Sequence, residues 1–154
     1  MVNSIILSQS QRRKWFRISS NWFSEFMELK PSQRIKILKP SLEKLISQLE
    51  VQGFDSKVCS GLSLWVIENL ENSSKFSWQT KAVRILHPME REFITPEAYG
   101  LFLQVLRSGI VEAKDSENLL EDIAAKYPLP IEIDILEIQL SEFWLKKIGK
   151  YTPQ

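Results

Sequence analysis

The sequence predicts a single, mainly α-helical domain of five or six helices, with a short strand or hairpin near residue 84. Three observations support this fold class. Apolar residues recur at every third or fourth position through most of the chain, as on a helix that packs one face against a core. Glycine or proline lies between these stretches, where helices end and begin. The 154 residues are 44% hydrophobic and 25% charged, which suits one domain with a real core.

The first predicted helix lies between Ser8 and Leu29. Its apolar residues lie three or four positions apart and form an aromatic face. Its first turns are strongly positive, which opposes the helix macrodipole, so we expect core packing or an anionic partner to offset the cost. Pro31 ends the helix, because a proline ring disfavours helical geometry at the preceding residue. The aromatic face comprises Trp15, Ile18, Trp22, Phe23 and Phe26, and the cations are Arg12, Arg13, Lys14 and Arg17.

A tight pair of helices is predicted around Gly53. The first helix of the pair begins at Pro40, since proline suits a first helical turn, and ends at Gly53, since glycine tolerates the left-handed conformation. Asp55 can then cap the next helix through its carboxylate. Because the turn is so short, the two helices must pack against each other. Their apolar faces comprise Leu42, Leu45, Ile46 and Leu49 before the turn, and Val58, Leu62, Trp65, Val66 and Leu70 after it.

In the middle of the chain, the sequence predicts a loop, a short strand and a fourth helix. Residues 72–80 are mostly polar and favour a loop. Residues 82–86 alternate apolar side chains about Arg84, which favours a short strand but is not enough for a sheet. Thr95 supplies a helix cap followed by a first-turn proline, and Gly109 supplies the stop, so a helix is predicted between them.

Two more helices are predicted in the last third of the chain. The first begins at Asp115 or Ser116 and ends before Pro128, because proline cannot continue a helix. The second begins near Asp134 and ends at Gly149.

Four segments, in order along the chain, resemble one known family. They are GFD at Gly53 to Asp55 followed by Trp65, RIL at Arg84 to Leu86, the apolar helix at Tyr99 to Val111, and IEIDILEIQL at Ile131 to Leu140. The chain resembles the bacterial Smg family of small cytoplasmic proteins over about residues 21 to 143. This family has no established biochemical activity, so the resemblance implies a helical fold and a cytoplasmic location but no particular biochemical function.

The chain also departs from the family pattern. Ser116, Glu117 and Asn118 stand where the family usually has an arginine-glutamate pair, the final helix lacks a lysine-tryptophan pair, and the basic segment before residue 21 has no counterpart. We therefore divide the chain into a basic, aromatic helical extension at residues 1–30 and a Smg-like helical domain at residues 31–150.

Charge is unevenly distributed although the net charge is only +1. Residues 1–57 carry 10 Lys or Arg and 5 Asp or Glu, whereas residues 112–142 carry 2 and 9. These two regions could steer partners of either sign over about 8 Å at physiological salt. They could equally neutralise each other by packing together in the folded chain.

The sequence predicts a cytoplasmic protein. The single cysteine allows no internal disulfide, which fits a reducing compartment. No apolar run approaches the roughly 20 residues that a membrane span needs. The first residues place a short apolar stretch before the positive charges, the reverse of a secretory signal.

Candidate groups for catalysis are sparse. His87, the only histidine, and Cys59 could supply at most two metal ligands, at a spacing unlike any zinc motif. The acidic residues near 134 indicate a solvated helix start rather than an acid/base pair. The five glycines are isolated and form no phosphate-binding loop. We therefore predict no enzyme, no cofactor, no metal and no small-molecule substrate. The acidic residues are Glu132, Asp134 and Glu137.

The segment RRKWFR at Arg12 to Arg17 is the candidate site, because it interleaves cations and aromatics as phosphate-gripping, base-stacking surfaces do. Three interpretations remain open: an accessory helix that packs its tryptophans into the domain, a contact with a partner protein or a membrane surface, and a nucleic-acid contact. The predicted binding residues are Arg12, Arg13, Lys14, Trp15, Arg17 and Trp22.

The preferred functional hypothesis is a non-catalytic interaction or adaptor module that binds a protein partner or a second copy of itself, because aromatics and arginine often anchor interfaces. The alternative is nucleic-acid binding. In that alternative, the helix pair at Gly53 and the strand at Arg84 form a degenerate helix-turn-helix with a wing, assisted by the basic segment.

Overall fold

The computed structural model describes residues 7–72 and 93–151, which form six α-helices and a closing 3₁₀ turn. The prediction of a mainly α-helical domain of five or six helices is therefore confirmed. An isolated parallel bridge between Ile94 and Ile131 is the β pairing seen in these ranges. The strand or hairpin predicted near residue 84 lies outside the described residues. The helices are α1 Gln9–Glu28, α2 Pro31–Val51, α3 Ser56–Asn72, α4 Pro96–Ser108, α5 Ala113–Lys126 and α6 Ile133–Ile148, and the 3₁₀ turn is Gly149–Tyr151.

Helix α6 lies at the centre of the fold and contacts α1, α3 and α4. Leu136, Leu140, Trp144 and Ile148 follow each other at four-residue intervals along α6 and are all fully buried. This spacing places them on one face of the helix, where hydrophobic burial holds the surrounding helices together.

An aromatic cluster joins α1, α3 and α6. The ring centroid of Trp144 lies 4.9 Å from that of Trp15 on α1 and 5.3 Å from that of Trp65 on α3. Phe23 on α1 approaches Trp65 to 5.1 Å in an edge-to-face arrangement. Such pairs contribute about 0.5 to 1.5 kcal/mol each beyond the area they bury. The aromatic face predicted for the first helix is thus part of the core.

The turn between α2 and α3 ends one helix and starts the next within four residues. Gly53 has φ +93°, and the N–H groups of Gly53 and Phe54 donate to the carbonyls of Glu50 and Leu49 at 2.9 and 3.1 Å. This is the Schellman arrangement, which pairs carbonyls that the helix end would otherwise leave free. Asp55 Oδ1 then accepts the N–H of Lys57 at 3.0 Å, so the predicted stop and cap are both confirmed.

Helix α2 begins at Pro31, nine residues earlier than predicted, and Pro40 lies inside it. The sequence favoured a start at Pro40 because proline suits a first turn, whereas inside a helix proline removes one backbone hydrogen bond and costs about 3 kcal/mol. Pro40 is exposed and cannot donate to the carbonyl of Lys36, so the missing hydrogen bond lies in an exposed stretch. The prediction was wrong because a proline does not by itself show on which side of it a helix lies.

The remaining helices fall close to their predicted bounds. Thr95 Oγ1 accepts the N–H of Ala98 at 3.2 Å, and Gly109 ends α4 with φ +89°. Helix α5 begins at Ala113, two residues before the predicted Asp115.

Replacing Gly53 by alanine is expected to lower the free energy of unfolding by about 1 to 2 kcal/mol, because an L side chain disfavours the left-handed conformation. An added Cβ would meet nothing within 4 Å, so the cost is conformational alone. Gly100 inside α4 is the matched control, since its added Cβ also meets nothing. Gly100→Ala should raise the free energy by up to about 1 kcal/mol. Urea unfolding followed by circular dichroism measures both, and changes of the same sign would contradict this account.

Candidate functional site

The basic residues of α1 form ion pairs with the acidic residues of α6. Arg12 Nη1 lies 2.6 Å from Glu142 Oε1, and Arg13 Nη2 lies 3.2 Å from Asp134 Oδ1. Arg17 Nε lies 2.7 Å from Glu137 Oε2. The oppositely charged regions of the sequence therefore meet inside the folded chain, as the intramolecular interpretation of the charge pattern expected.

Glu137 is the centre of these contacts. Its side chain is only 6% exposed, and its carboxylate accepts hydrogen bonds from both Arg13 and Arg17. Arg17 binds it in a bidentate manner, with Nε on Oε2 at 2.7 Å and Nη2 on Oε1 at 2.9 Å. Arg13 donates Nε and Nη2 to Oε1 at 3.2 and 3.0 Å. We call these three residues the Glu137 triad. Four charge-assisted hydrogen bonds offset the cost of burying the carboxylate.

The triad is charged at neutral pH. Burial by itself would raise the pKa of Glu137, but hydrogen bonds and positive charge from Arg17 and Arg13 outweigh burial and lower it. The same contact raises the pKa of Arg17, first through its hydrogen bond to Glu137 and then through the carboxylate charge. The ion pair is therefore a permanent feature of the fold near pH 7.

The sequence interpretation of Glu137 as part of a solvated helix start was wrong. Two signals could have found this residue. Glu137 precedes the buried Trp144 by seven residues, two turns of helix, so the two side chains lie on the same side of α6. Arg13 and Arg17 are four residues apart and so share one face of α1. By contrast, Asp134 is 62% exposed and matches the solvated interpretation.

The two tryptophans among the predicted site residues pack inside the protein to different extents. Trp15 is fully buried and contacts no solvent. Trp22 is half-buried, stacks on Phe26 with ring centroids 5.0 Å apart, and donates Nε1–H to Ser41 Oγ at 3.0 Å. The burial of Trp15 fits the open interpretation of an accessory helix that packs its tryptophans into the domain, because its ring completes the aromatic cluster around Trp144.

Three of the predicted cations line one open pocket of about 730 Å³ between α1, the end of α2 and α6. They are Arg13, Lys14 and Arg17, and we call this space the α1 pocket. Arg12 is absent from its lining and pairs with Glu142 instead. Lys14 is exposed and makes no ion pair within residues 7–72 and 93–151.

A second open pocket of about 570 Å³ lies between α2 and α3 and is mainly apolar. We call it the α2–α3 groove. Sequence reasoning missed this surface, because the helix was predicted to begin only at Pro40, which left Ile35 outside it. Ile35 is 82% exposed, and Ile67 across the groove is 39% exposed. The apolar lining residues are Ile35, Leu38, Leu42, Ile46 and Ile67.

Cys59 lies in the core at the start of α3 and is poorly suited to act as a nucleophile. Burial, followed by the negative charges of Glu50 and Asp55, raises the pKa of its thiol to about 11. The thiol is therefore protonated near pH 7, and a thiol is much less reactive than a thiolate. The described residues contain no group of three or more His, Cys, Asp or Glu side chains placed to hold a metal ion, and His87 lies outside them.

The helical fold built around α6 defines a small all-α protein, and comparison with known proteins identifies its family. The family described as Protein of unknown function (DUF494) matches residues 25–141. The chain belongs to this family, which is also known as Smg, so the resemblance noted in the sequence is confirmed. No curated protein and no solved structure matches the chain.

The match begins after the basic part of α1. Arg13 and Arg17 therefore precede the matched range, whereas their partner Glu137 lies within it. Within the described ranges, no helix combines the length and the hydropathy required to cross a membrane.

Replacing Glu137 by glutamine should lower the free energy of unfolding by about 1 to 3 kcal/mol at pH 7, because two arginines lose the negative charge they share and one of its two acceptor oxygens. Glu142→Gln is the matched control. Its side chain is 45% exposed and pairs with one arginine, so its loss should cost less than about 1 kcal/mol. Urea titration of both variants measures the difference. Equal costs would show that burial adds nothing to the triad.

The contribution of Glu137 to stability should depend on pH. Its pKa is lowered from the ordinary value of 4.5, so its stabilising effect is complete above that value and is lost as pH falls through the lower folded-state pKa. The difference in free energy of unfolding between wild type and Glu137→Gln should therefore shrink between pH 7 and pH 3. Urea titrations at both pH values measure it, and a constant difference would contradict the assignment.

Proposed function

We propose that this chain is a non-catalytic protein-interaction module of the cytoplasm that binds an amphipathic helix of a partner protein in the α2–α3 groove. The observation that carries the proposal is the exposed apolar lining of that groove. Single exposed apolar residues are common on protein surfaces, whereas Ile35 and Ile67 are both exposed on the lining of one groove, and such grouping favours an interaction surface.

The length of the groove suits a short helix. Ile35 and Ile46 mark the two ends of its apolar row on α2, and a rise of about 1.5 Å per residue separates them by about 16 Å. A partner helix of about three turns would cover this distance. Covering an exposed isoleucine is worth roughly 1.5 to 3 kcal/mol, so a few such contacts support binding after association costs are met.

Charges along the groove favour one type of partner helix. Lys39 lines the half of the groove near the start of α2, whereas Glu43 and Glu50 line the half near its end. A bound helix with an apolar stripe would be favoured by a basic flank beside the two glutamates and an acidic residue beside Lys39. Burial of the apolar row would provide affinity, and these charges would set the direction of the helix.

Interaction is better supported than catalysis or nucleic-acid binding. Arg12, Arg13 and Arg17 each pair with carboxylates on α6, so Lys14 is the one cation of this segment without an ion pair among the described residues, whereas a nucleic-acid backbone is bound through several cations at once. Helix α3, the second helix of the proposed helix-turn-helix, carries Lys57 as its single cation among residues 56–70. The protonated thiol of Cys59 also argues against nucleophilic catalysis.

Photocrosslinking from the groove tests this function. A photoreactive amino acid in place of Ser47, which lines the groove, should give one crosslinked species in cells that express the chain. Ile35→Glu should reduce its yield at least about fivefold, because a carboxylate cannot be buried cheaply against an apolar helix. Leu129→Glu is the matched control, since Leu129 is also an exposed apolar residue but lies outside the groove.

Equal yields from the two glutamate variants would overturn the proposal. A crosslinked species of twice the mass of the chain would also contradict it, because the occupant would then be a second copy rather than a separate protein. Circular dichroism and the unfolding midpoint of each variant, measured on purified protein, show whether the fold is retained.

A further inference from the structure

The α1 pocket collects hydrogen-bond donors from two helices. Arg13, Lys14 and Arg17 line it from α1, together with the first-turn residues Gln9 and Ser10. The C-terminal part of α2 contributes the carboxamides of Gln48 and Gln52. Seven side chains that can donate hydrogen bonds thus line one open space of about 730 Å³, together with the apolar side chains of Ile18 and Ile138.

The two arginines are held by Glu137 in a way that leaves part of each guanidinium available. Arg13 uses Nε and Nη2 in its contacts with Glu137 and Asp134, and Arg17 uses Nε and Nη2 on Glu137. Nη1 of each arginine has no hydrogen-bond partner among the described residues. Because Glu137 fixes both side chains, a ligand would meet donors that have already lost most of their rotamer freedom.

The start of α1 adds backbone N–H groups at two residues that line the pocket, Gln9 and Ser10. Ser8 Oγ accepts the N–H of Gln11, and the carbonyl of Ser8 accepts the N–H of Arg12 at 2.9 Å. The N–H groups of Gln9 and Ser10 have no partner within the described part of the chain, as expected for the first helical turn. The positive end of the helix macrodipole lies here too.

The charge balance of the pocket favours an anion. The three cations stand against Glu137 and the exposed Asp134, which leaves one net positive charge. The carboxylate of Glu137 is buried and already accepts four hydrogen bonds from the arginines. Its charge is therefore compensated at close range, whereas Lys14 is uncompensated and exposed.

We propose that the α1 pocket binds the phosphate group of a small phosphorylated molecule. Arg13, Lys14, Arg17 and the N–H groups of Gln9 and Ser10 are its phosphate ligands, and Glu137 is the residue that positions both arginines. Donors that converge from side chains and a helix start suit the several oxygens of a phosphate better than the two oxygens of a carboxylate. The carboxamides of Gln48 and Gln52 remain for the uncharged part of the molecule.

Titration of the purified full chain with inorganic pyrophosphate tests the site. Amide resonances of Gln9 and Ser10 should shift in a saturable manner in two-dimensional nuclear magnetic resonance spectra. Lys14→Gln should weaken binding at least about fivefold, because one charge-assisted contact is lost. Lys57→Gln on α3 removes the same charge outside the pocket and should change the affinity less than about twofold.

A second variant separates positioning from folding. Glu137→Gln should weaken pyrophosphate binding at constant ionic strength although it makes the pocket more positive, since the arginines lose their fixed orientation. Tighter binding by Glu137→Gln would show that net charge alone attracts the anion and would overturn the positioning role. If this variant does not fold, the comparison of Lys14→Gln with Lys57→Gln decides the proposal.

Three results would overturn the site itself. Unchanged resonances of Gln9 and Ser10 would exclude the pocket, and equal weakening by the two lysine variants would indicate non-specific attraction. A single-stranded oligonucleotide that binds more tightly with increasing length and depends on Lys14 would show a nucleic-acid backbone to be the ligand instead of a small molecule.

Discussion

The contact of a buried carboxylate on α6 with two arginines on α1 constrains how the rest of the helices assemble. Glu137 is tolerated in the interior because Arg13 and Arg17 donate to it from one face of α1. Because Arg13 and Arg17 are themselves one turn apart, sliding α1 by one turn along α6 would leave Glu137 with one arginine instead of two and would separate Trp15 from Trp144. The triad and the contact of Trp15 with Trp144 therefore favour the same register of α1 on α6, and hydrophobic burial provides most of the stability.

This arrangement divides the surface into two parts with different chemistry. Much of the positive charge on the basic side of α1 is neutralised by ion pairs with α6. Lys14 remains as an exposed cation beside two oriented guanidinium groups. On the other side, α2 turns its core face towards α1 and α3 but leaves Ile35 in solvent. An apolar groove and a polar, positively charged pocket thus lie on the surface of one small helical domain. Neither requires a catalytic group in the core.

Local chemistry explains why much of the fold could be predicted. The signals at Gly53, Asp55 and Thr95 act over a few residues, since each concerns a backbone conformation or a single capping hydrogen bond. Pro40 shows where such signals fail, because a proline that would suit a helix start lies here inside an exposed stretch of α2. The candidate site could be predicted less well from such local signals. Arg13 and Arg17 were recognised as unusual, but their partner was not, since it lies more than 100 residues away in the chain.

The sequence alone determined the helical class of this protein, most helix ends, the apolar faces and its place in the DUF494 family, because these depend on residue order and local spacing. The tertiary structure alone decided which individual side chains are buried, exposed or paired. In the fold, Trp15 is buried and Ile35 is exposed. Glu137, which the sequence assigned to a solvated helix start, is the centre of an ion-pair network. The physical reason is that burial and charge pairing depend on which helices meet, and helix periodicity defines the faces of a helix but not the partners of those faces.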